Sequence, residues 1–184
     1  MMFGWRNEMI IKYADCEPEI AGNVFIAPTA FVAGDVTIDR NVTIWPGASV
    51  RGDINSVTIG SGTNIQDNAS VHVGHDEDHS VHIGENVTIG HNAVVHGARI
   101  GDNALIGMGA IVLDGAVIGE GAMIAAGSLV TPGTFIAPGT LAVGSPARVR
   151  RDLSQEEKES IMAGCVSYQA LAGEYSRACG VESR

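Results

Sequence analysis

All six histidines of this chain fall in one stretch, residues 71–96, which reads VHVGHDEDHSVHIGENVTIGHNAVVH. They are His72, His75, His79, His82, His91 and His96. Neutral imidazole is the commonest protein ligand for transition metals, through either ring nitrogen. Three neutral imidazoles on one divalent ion leave it doubly charged with open positions. A water molecule held there loses its proton readily, its pKa falling to about 7. The chemistry on offer is hydrolytic or hydration chemistry, provided three of the six rings can reach one point.

Positioning them falls to a strict repeat. Ile or Val recurs every six residues at 20, 26, 32, 38, 44 and 50. The series resumes at 59, 65 and 71, then at 83, 89 and 95, and then at 100, 106, 112, 118, 124, 130 and 136. Segments such as IGDNAL, IGEGAM, VTPGTF and IAPGTL fill the intervals with turn-forming Gly, Asn, Asp and Pro. A helix needs apolar spacings of three and four and is weakened by these glycines. The period instead predicts a short strand and a turn on every side of a three-sided coil. Such coils stack at ~4.8 Å, so identical slots form ladders and the Ile/Val slot fills the core.

Three steps break the period. Val50 to Ile59 is nine, which predicts a bulge of about three residues around residues 52–56. Val71 to Ile83 is twelve. Two ordinary sides there would bury Glu77 without a partner, which is costly. One side plus an extruded loop over residues 74–80 fits better. Val95 to Ile100 is five, a one-residue slip without an evident sequence reason.

The expected organisation is an N-terminal cap segment at residues 1–19, the repeat at 20–146, and a linker with a C-terminal helix at 147–184. Met9-Ile10-Ile11-Lys12-Tyr13 suits a short leading strand. Ser154-Gln155-Glu156-Glu157 reads as a capping box opening a helix that runs to about Cys179 and stops at Gly180. A net charge of −10 argues against nucleic acid and anionic membranes as partners. No 18-residue apolar run and no signal-peptide pattern is found. Cys16, Cys165 and Cys179 are widely spaced and odd in number, which fits reduced thiols and a cytoplasmic location.

Counting slots places the histidines. His72 follows Val71 and His96 follows Val95, and these two core residues are three sides apart. The two rings therefore belong to one column, about 5 Å between backbones. Three sides further back, the same slot holds Arg51. His91 lies two places after Ile89, on another face, with Asn64 and Gln66 near it. His91 and His96 are separated by roughly 16 Å of extended chain. A neighbouring subunit that turns its His91 face to the His72/His96 face would complete a three-histidine site. Such head-to-tail contacts close into rings, and a three-sided prism suggests a trimer with three sites. His75, His79 and His82 are expected to be solvated or hydrogen-bonded residues. Asp53, two places after Arg51, is a surface ion-pair partner or a register-fixing group at the subunit boundary.

The hexapeptides resemble those of left-handed parallel β-helix proteins, the hexapeptide-repeat superfamily, over about residues 20–146. The left hand comes from this resemblance. More specifically, Arg51-Gly52-Asp53, Asn64-Ile65-Gln66-Asp67-Asn68, His72, Gly90-His91-Asn92, Val95-His96-Gly97, GMGAIVLDGAVIG and VGSPA resemble the γ-class carbonic anhydrases and their bacterial homologues. That resemblance implies a mainly β fold, a left-handed parallel β-helix with a C-terminal α-helix. It implies a homotrimer with one divalent metal per site, zinc first and iron(II) or cobalt(II) also suited. His72 and His96 would come from one subunit and His91 from the next. Arg51 and Asp53 would form the interface salt bridge, Gln66 and Asn64 would orient hydroxide and substrate, and Tyr168 matches an active-site tyrosine. The implied reaction is reversible hydration of CO2 to bicarbonate.

Two departures stand out. Ile54 occupies the place of a glutamate after Arg-Gly-Asp, and Ala170 replaces an asparagine two places after the tyrosine. The acidic loop is short, leaving Glu77, His75 or His79 to export protons. Two other functions remain open: an acyl-CoA transferase or thioesterase of the same superfamily, and a metal-binding assembly subunit without catalysis.

Overall fold

The computed structural model describes residues 9–76 and 79–180. Residues 1–8 of the cap segment, the proton-export candidate Glu77 and the Cys179 side chain lie outside what is described. Residues 19–144 wind into a left-handed parallel β-helix of about seven turns, followed by one antiparallel strand and one helix.

The period becomes three columns of core side chains. Ile20, Ile38, Ile59, Ile83, Ile100, Ile118 and Ile136 stack on one face. Ile26, Ile44, Ile65, Ile89, Ile106, Ile124 and Ala142 stack on the second. Val32, Val50, Val71, Val95, Val112 and Val130 stack on the third. All are buried except the terminal Ile20, which is half-buried. Each buried Val or Ile contributes about 1.5–3 kcal/mol relative to exposure. Large aromatic side chains are therefore not needed inside a prism this narrow. The corner after the second column carries Asn68, Asn92 and Gly109 in the left-handed backbone region, where Asn and Gly are best tolerated.

The three irregular steps each have a structural form. In the nine-residue step, Gly34 pairs with Gly52 and Val36 with Val57, so residues 53–56 oppose Asp35 alone. In the twelve-residue step, Val81 and Ile83 rejoin the coil opposite Val57 and Ile59, and residues 74–76 and 79–80 lie outside its strands. The bulge braces this loop: Asn55 Nδ2 donates to the carbonyls of Gly74 and Asp76, each at 2.8 Å. The five-residue step, unexplained by sequence, makes room. Gly97 sits there at φ 54°. The next coil takes six residues over the same corner, and its Asp114 carboxylate packs where a Gly97 side chain would be.

Residues 147–152, expected as linker, form the strand Ala147–Asp152, antiparallel to Thr140–Gly144. The turn at Ser145-Pro146 reverses the chain. The exposed Arg148, Arg150 and Arg151 charge this sheet edge, which opposes edge-to-edge aggregation.

The helix spans Gln155–Cys179. Ser154 and Glu157 cap its start reciprocally, and Gly180 ends it at φ 63°. Arg151 grips both Glu157 oxygens, at 2.7 and 2.8 Å. Ile161, Cys165, Tyr168 and Ala172, spaced by four, three and four, face the second column. Trp45 receives Tyr168 and Tyr175 edge-on at 5.3 and 5.2 Å between ring centroids. Among the described residues, no helix is long and apolar enough to cross a membrane.

Candidate metal centre

The column of Arg51, His72 and His96 is present: the three are successive Cα partners on adjacent strands. Strand stacking turns 24 residues of chain into one rung, and the rings of His72 and His96 meet. Nδ1 of His72 and Nε2 of His96 are 3.1 Å apart. Two nitrogens each bound at ~2.1 Å to one ion can have that separation. The outer nitrogens are both held by carboxylates. Asp53 Oδ1 lies 2.9 Å from His72 Nε2, and Asp114 Oδ1 lies 2.5 Å from His96 Nδ1. A carboxylate on the far nitrogen keeps the proton there and leaves the near nitrogen free to ligate.

Asp53 also pairs with Arg51 within the chain. Burial raises the Asp53 pKa, but the His72 hydrogen bond and the Arg51 charge outweigh it and hold the carboxyl below its ordinary range.

His91 stands apart from this pair, on the corner between the second and third columns. Its Nδ1 lies 3.0 Å from Asp67 Oδ2, and its Nε2 lies 3.2 Å from the Tyr168 hydroxyl. Burial, then the Asp67 charge, pushes the Tyr168 pKa up, so the phenol keeps its proton. The His91 backbone N–H donates to Gln66 Oε1 at 3.1 Å, and Gln66 Nε2 donates to Asn64 Oδ1 at 3.0 Å. Asn64 is 1% exposed and points into the protein. Among the described residues, a single chain gathers no group of three His, Cys, Asp or Glu able to hold a metal. The His72/His96 pair and His91 thus stand as two separate groups on the chain.

The remaining histidines do other things. His75 is exposed. His79 lies beside Asp76, 3.5 Å between Nδ1 and Oδ2. His82 Nδ1 bonds the Thr58 hydroxyl at 2.9 Å, and burial and then Arg99 lower its pKa.

Sequence reasoning named the three rings but missed the carboxylates behind two of them. The signal for Asp67 was available: it lies two places after Ile65, as His91 does after Ile89, so both share a slot. The signal for Asp114 was weaker, since the five-residue step and Gly97 admit it.

The donor chemistry fits a divalent transition metal. Each of His72, His91 and His96 has one nitrogen engaged by an aspartate and the other turned away from it.

Known proteins resemble this chain in two ways. The family profile for the bacterial transferase hexapeptide (six repeats) matches residues 97–132. The mitochondrial gamma carbonic anhydrase 1 of Arabidopsis thaliana is 45% identical over 87 residues, 45% of this chain, and the chain spans 32% of that protein's length. The crystal structure of a hexapeptide transferase family protein from Anaplasma phagocytophilum matches with a TM-score of 0.88 and 42% identity, covering 92% of this chain and 99% of that one. A candidate acetyltransferase of Bacillus cereus matches equally well, TM-score 0.88 at 38% identity, over 91% and 96% of the two chains. The chain belongs to the hexapeptide-repeat family of left-handed parallel β-helix proteins, and over part of its length it is similar to γ-class carbonic anhydrases.

Proposed function

We propose that the chain is a metal-dependent, carbonic anhydrase-like enzyme that hydrates CO2 reversibly, working as a cytoplasmic homotrimer. The observation that carries this reading is the trio of aspartate-backed imidazoles on two half-sites. His72 and His96 of one subunit and His91 of the next would hold one divalent cation, zinc first, with iron(II) or cobalt(II) as alternatives. When bound, the cation supplies Lewis acidity, which brings the pKa of a water molecule towards neutrality. Asp53, Asp114 and Asp67 favour a proton on the nitrogen facing them, which leaves the other nitrogen of each ring unprotonated; at His91 that nitrogen accepts from Tyr168, a bond the metal would replace. Gln66 beside His91 orients the attacking oxygen and CO2, and Asn64 orients Gln66. Tyr168 offers a protonated hydroxyl next to His91. Arg51 and Asp53 pair within one chain, and at the subunit boundary they would form the interface salt bridge. His79, half-buried near Asp114, and His75 on the same loop are the described groups able to carry the released proton outward.

Subunit mixing tests this. His72→Ala and His91→Ala trimers should each lose the metal. An equimolar mixture of the two chains, reassembled at random, should regain about a quarter of the full metal content, and hydration with it, because one interface type in four keeps all three rings. Metal recovery of nil in the mixed trimers would remove the shared-site reading.

The two crystal structures described as transferases favour a second reading, acyl transfer from coenzyme A. Acyl-CoA turnover without CO2 hydration would establish it. A metal-loaded trimer with neither activity would point to an assembly subunit.

A further inference from the structure

We infer that Cys165 and Thr88 are positioning residues of the site, anchoring the far end of a buried hydrogen-bond chain that ends on the backbone of His91. This deepens the metal-site reading, since His91 is the ring that would cross to the next subunit.

The chain has five links. His91 N–H donates to Gln66 Oε1 at 3.1 Å. Gln66 Nε2 donates to Asn64 Oδ1 at 3.0 Å. Asn64 Nδ2 donates to Thr88 Oγ1 at 2.9 Å. Thr88 Oγ1 lies 3.3 Å from Cys165 Sγ, and the thiol donates to the carbonyl oxygen of Asn86 at 3.0 Å.

The two ends agree on the sense of the whole: at one, the His91 N–H only donates; at the other, the Asn86 carbonyl only accepts. A backbone carbonyl only accepts, so the single thiol proton is committed to Asn86. The sulfur is then an acceptor for the Thr88 hydroxyl, whose single proton is committed in turn. That leaves the Thr88 oxygen as acceptor and turns the amino end of Asn64 towards it. The Asn64 oxygen therefore meets the amino group of Gln66, and the Gln66 oxygen meets His91 N–H. The two ends of an amide have nearly the same shape, so partners set the orientation: Asn64 Nδ2 also approaches the Val87 carbonyl oxygen at 3.4 Å and Cys165 Sγ at 3.7 Å, both weaker contacts than the 2.9 Å bond to Thr88. Asn64, Gln66, Thr88 and Cys165 are 1, 5, 7 and 1% exposed, so water is not at hand to substitute for a lost partner. Burial also keeps the thiol protonated, its pKa raised despite the Thr88 and Asn64 hydrogen bonds.

The geometry gives the C-terminal helix two holds on His91. Tyr168 touches the ring directly, and Cys165, one turn earlier, holds its backbone through three intermediaries, Thr88, Asn64 and Gln66. Asn64, expected at the substrate, acts through Gln66 instead.

The test uses the intact zinc-loaded protein and four chains: wild type, Cys165→Ala, Cys165→Ser and Thr88→Val. Two quantities are read, hydrogen exchange at the His91 amide by NMR and kcat with KM for CO2 hydration. Cys165→Ala and Thr88→Val should each speed His91 exchange roughly tenfold and lower kcat by a similar factor at unchanged KM, as a buried unmade hydrogen bond implies. Cys165→Ser, which keeps a donor and an acceptor, should restore both to within about twofold. Thr88→Val breaks the chain without touching the helix, so it decides the matter if Cys165→Ala fails to fold. Wild-type exchange at His91 in Thr88→Val would overturn the inference. If the exchange pattern appears but no chain hydrates CO2, the positioning role stands and the carbonic anhydrase reading falls.

Discussion

At the scale of single residues, the candidate site is a set of imidazoles whose free nitrogens are chosen by their neighbours. Asp114 is the clearest case. It reaches His96 Nδ1 from the next coil because Gly97 leaves space for it. Asp114→Asn keeps the shape but replaces the anion, and zinc affinity should fall by about 10–100-fold, as for other partners behind ligating histidines. Competition with a chromophoric chelator measures this, and unchanged affinity would mean that the carboxylate merely packs there. Gly97→Ala attacks the same contact from the other side. A Cβ there would collide with Asp114, and the backbone sits at φ 54°. The expected outcome is loss of metal affinity with lowered stability, read by zinc titration and thermal melting together.

At the scale of elements, the helix is a marginal structure that matters for the site. Its cap is local and explicit. Ser154→Ala removes the acceptor for Glu157 N–H and should cost about 1 kcal/mol, measured by denaturant unfolding. Glu157 accepts from both Arg151 and the Ser154 N–H, which pushes its pKa down from 4.5 to about 2. A carboxyl depressed in the folded state stabilises above its unfolded pKa and stops doing so as pH falls through the folded one. Helix docking, followed by tyrosine fluorescence or circular dichroism, should therefore weaken between about pH 4.5 and 2. Glu157→Gln should flatten this part of the profile. The repeat itself is more robust, because each rung rests on two others. Ile106→Ala, in the middle of the second column, should cost about 2–5 kcal/mol without altering the remaining register.

At the scale of the whole molecule, one chain holds the His72/His96 pair and His91 on different corners. The His72/His96 pair and His91 can serve one ion only if copies meet head to tail. Light scattering should give about three times 19.1 kDa in solution. Removing the metal with a chelator should loosen the assembly at low protein concentration, because the ion would join two subunits. A single copy carrying a full complement of metal would defeat the arrangement. The strand Ala147–Asp152 caps the far end of the prism with exposed arginines, so growth should stop at a closed ring rather than continue end to end.

How much of this was legible beforehand differs by feature. Nineteen Ile/Val positions announced three columns, and slot counting put Arg51, His72 and His96 on one rung and His91 on another corner. Both followed from a period that depends only on local geometry. The bulge and the extruded loop were readable for the same reason, as interruptions of a count. Sequence did not reveal that Asp67 and Asp114 back two of the rings, that residues 147–152 fold back as a strand, or that Cys165 and Thr88 anchor the amides beside His91. Those contacts join positions 24, 18 or 77 residues apart whose meeting depends on where a corner is one residue short and where the helix comes to rest. A periodic sequence determines its own stacking because every rung repeats the same neighbours. Contacts made across its irregularities depend on three-dimensional packing, and only the tertiary structure decided them.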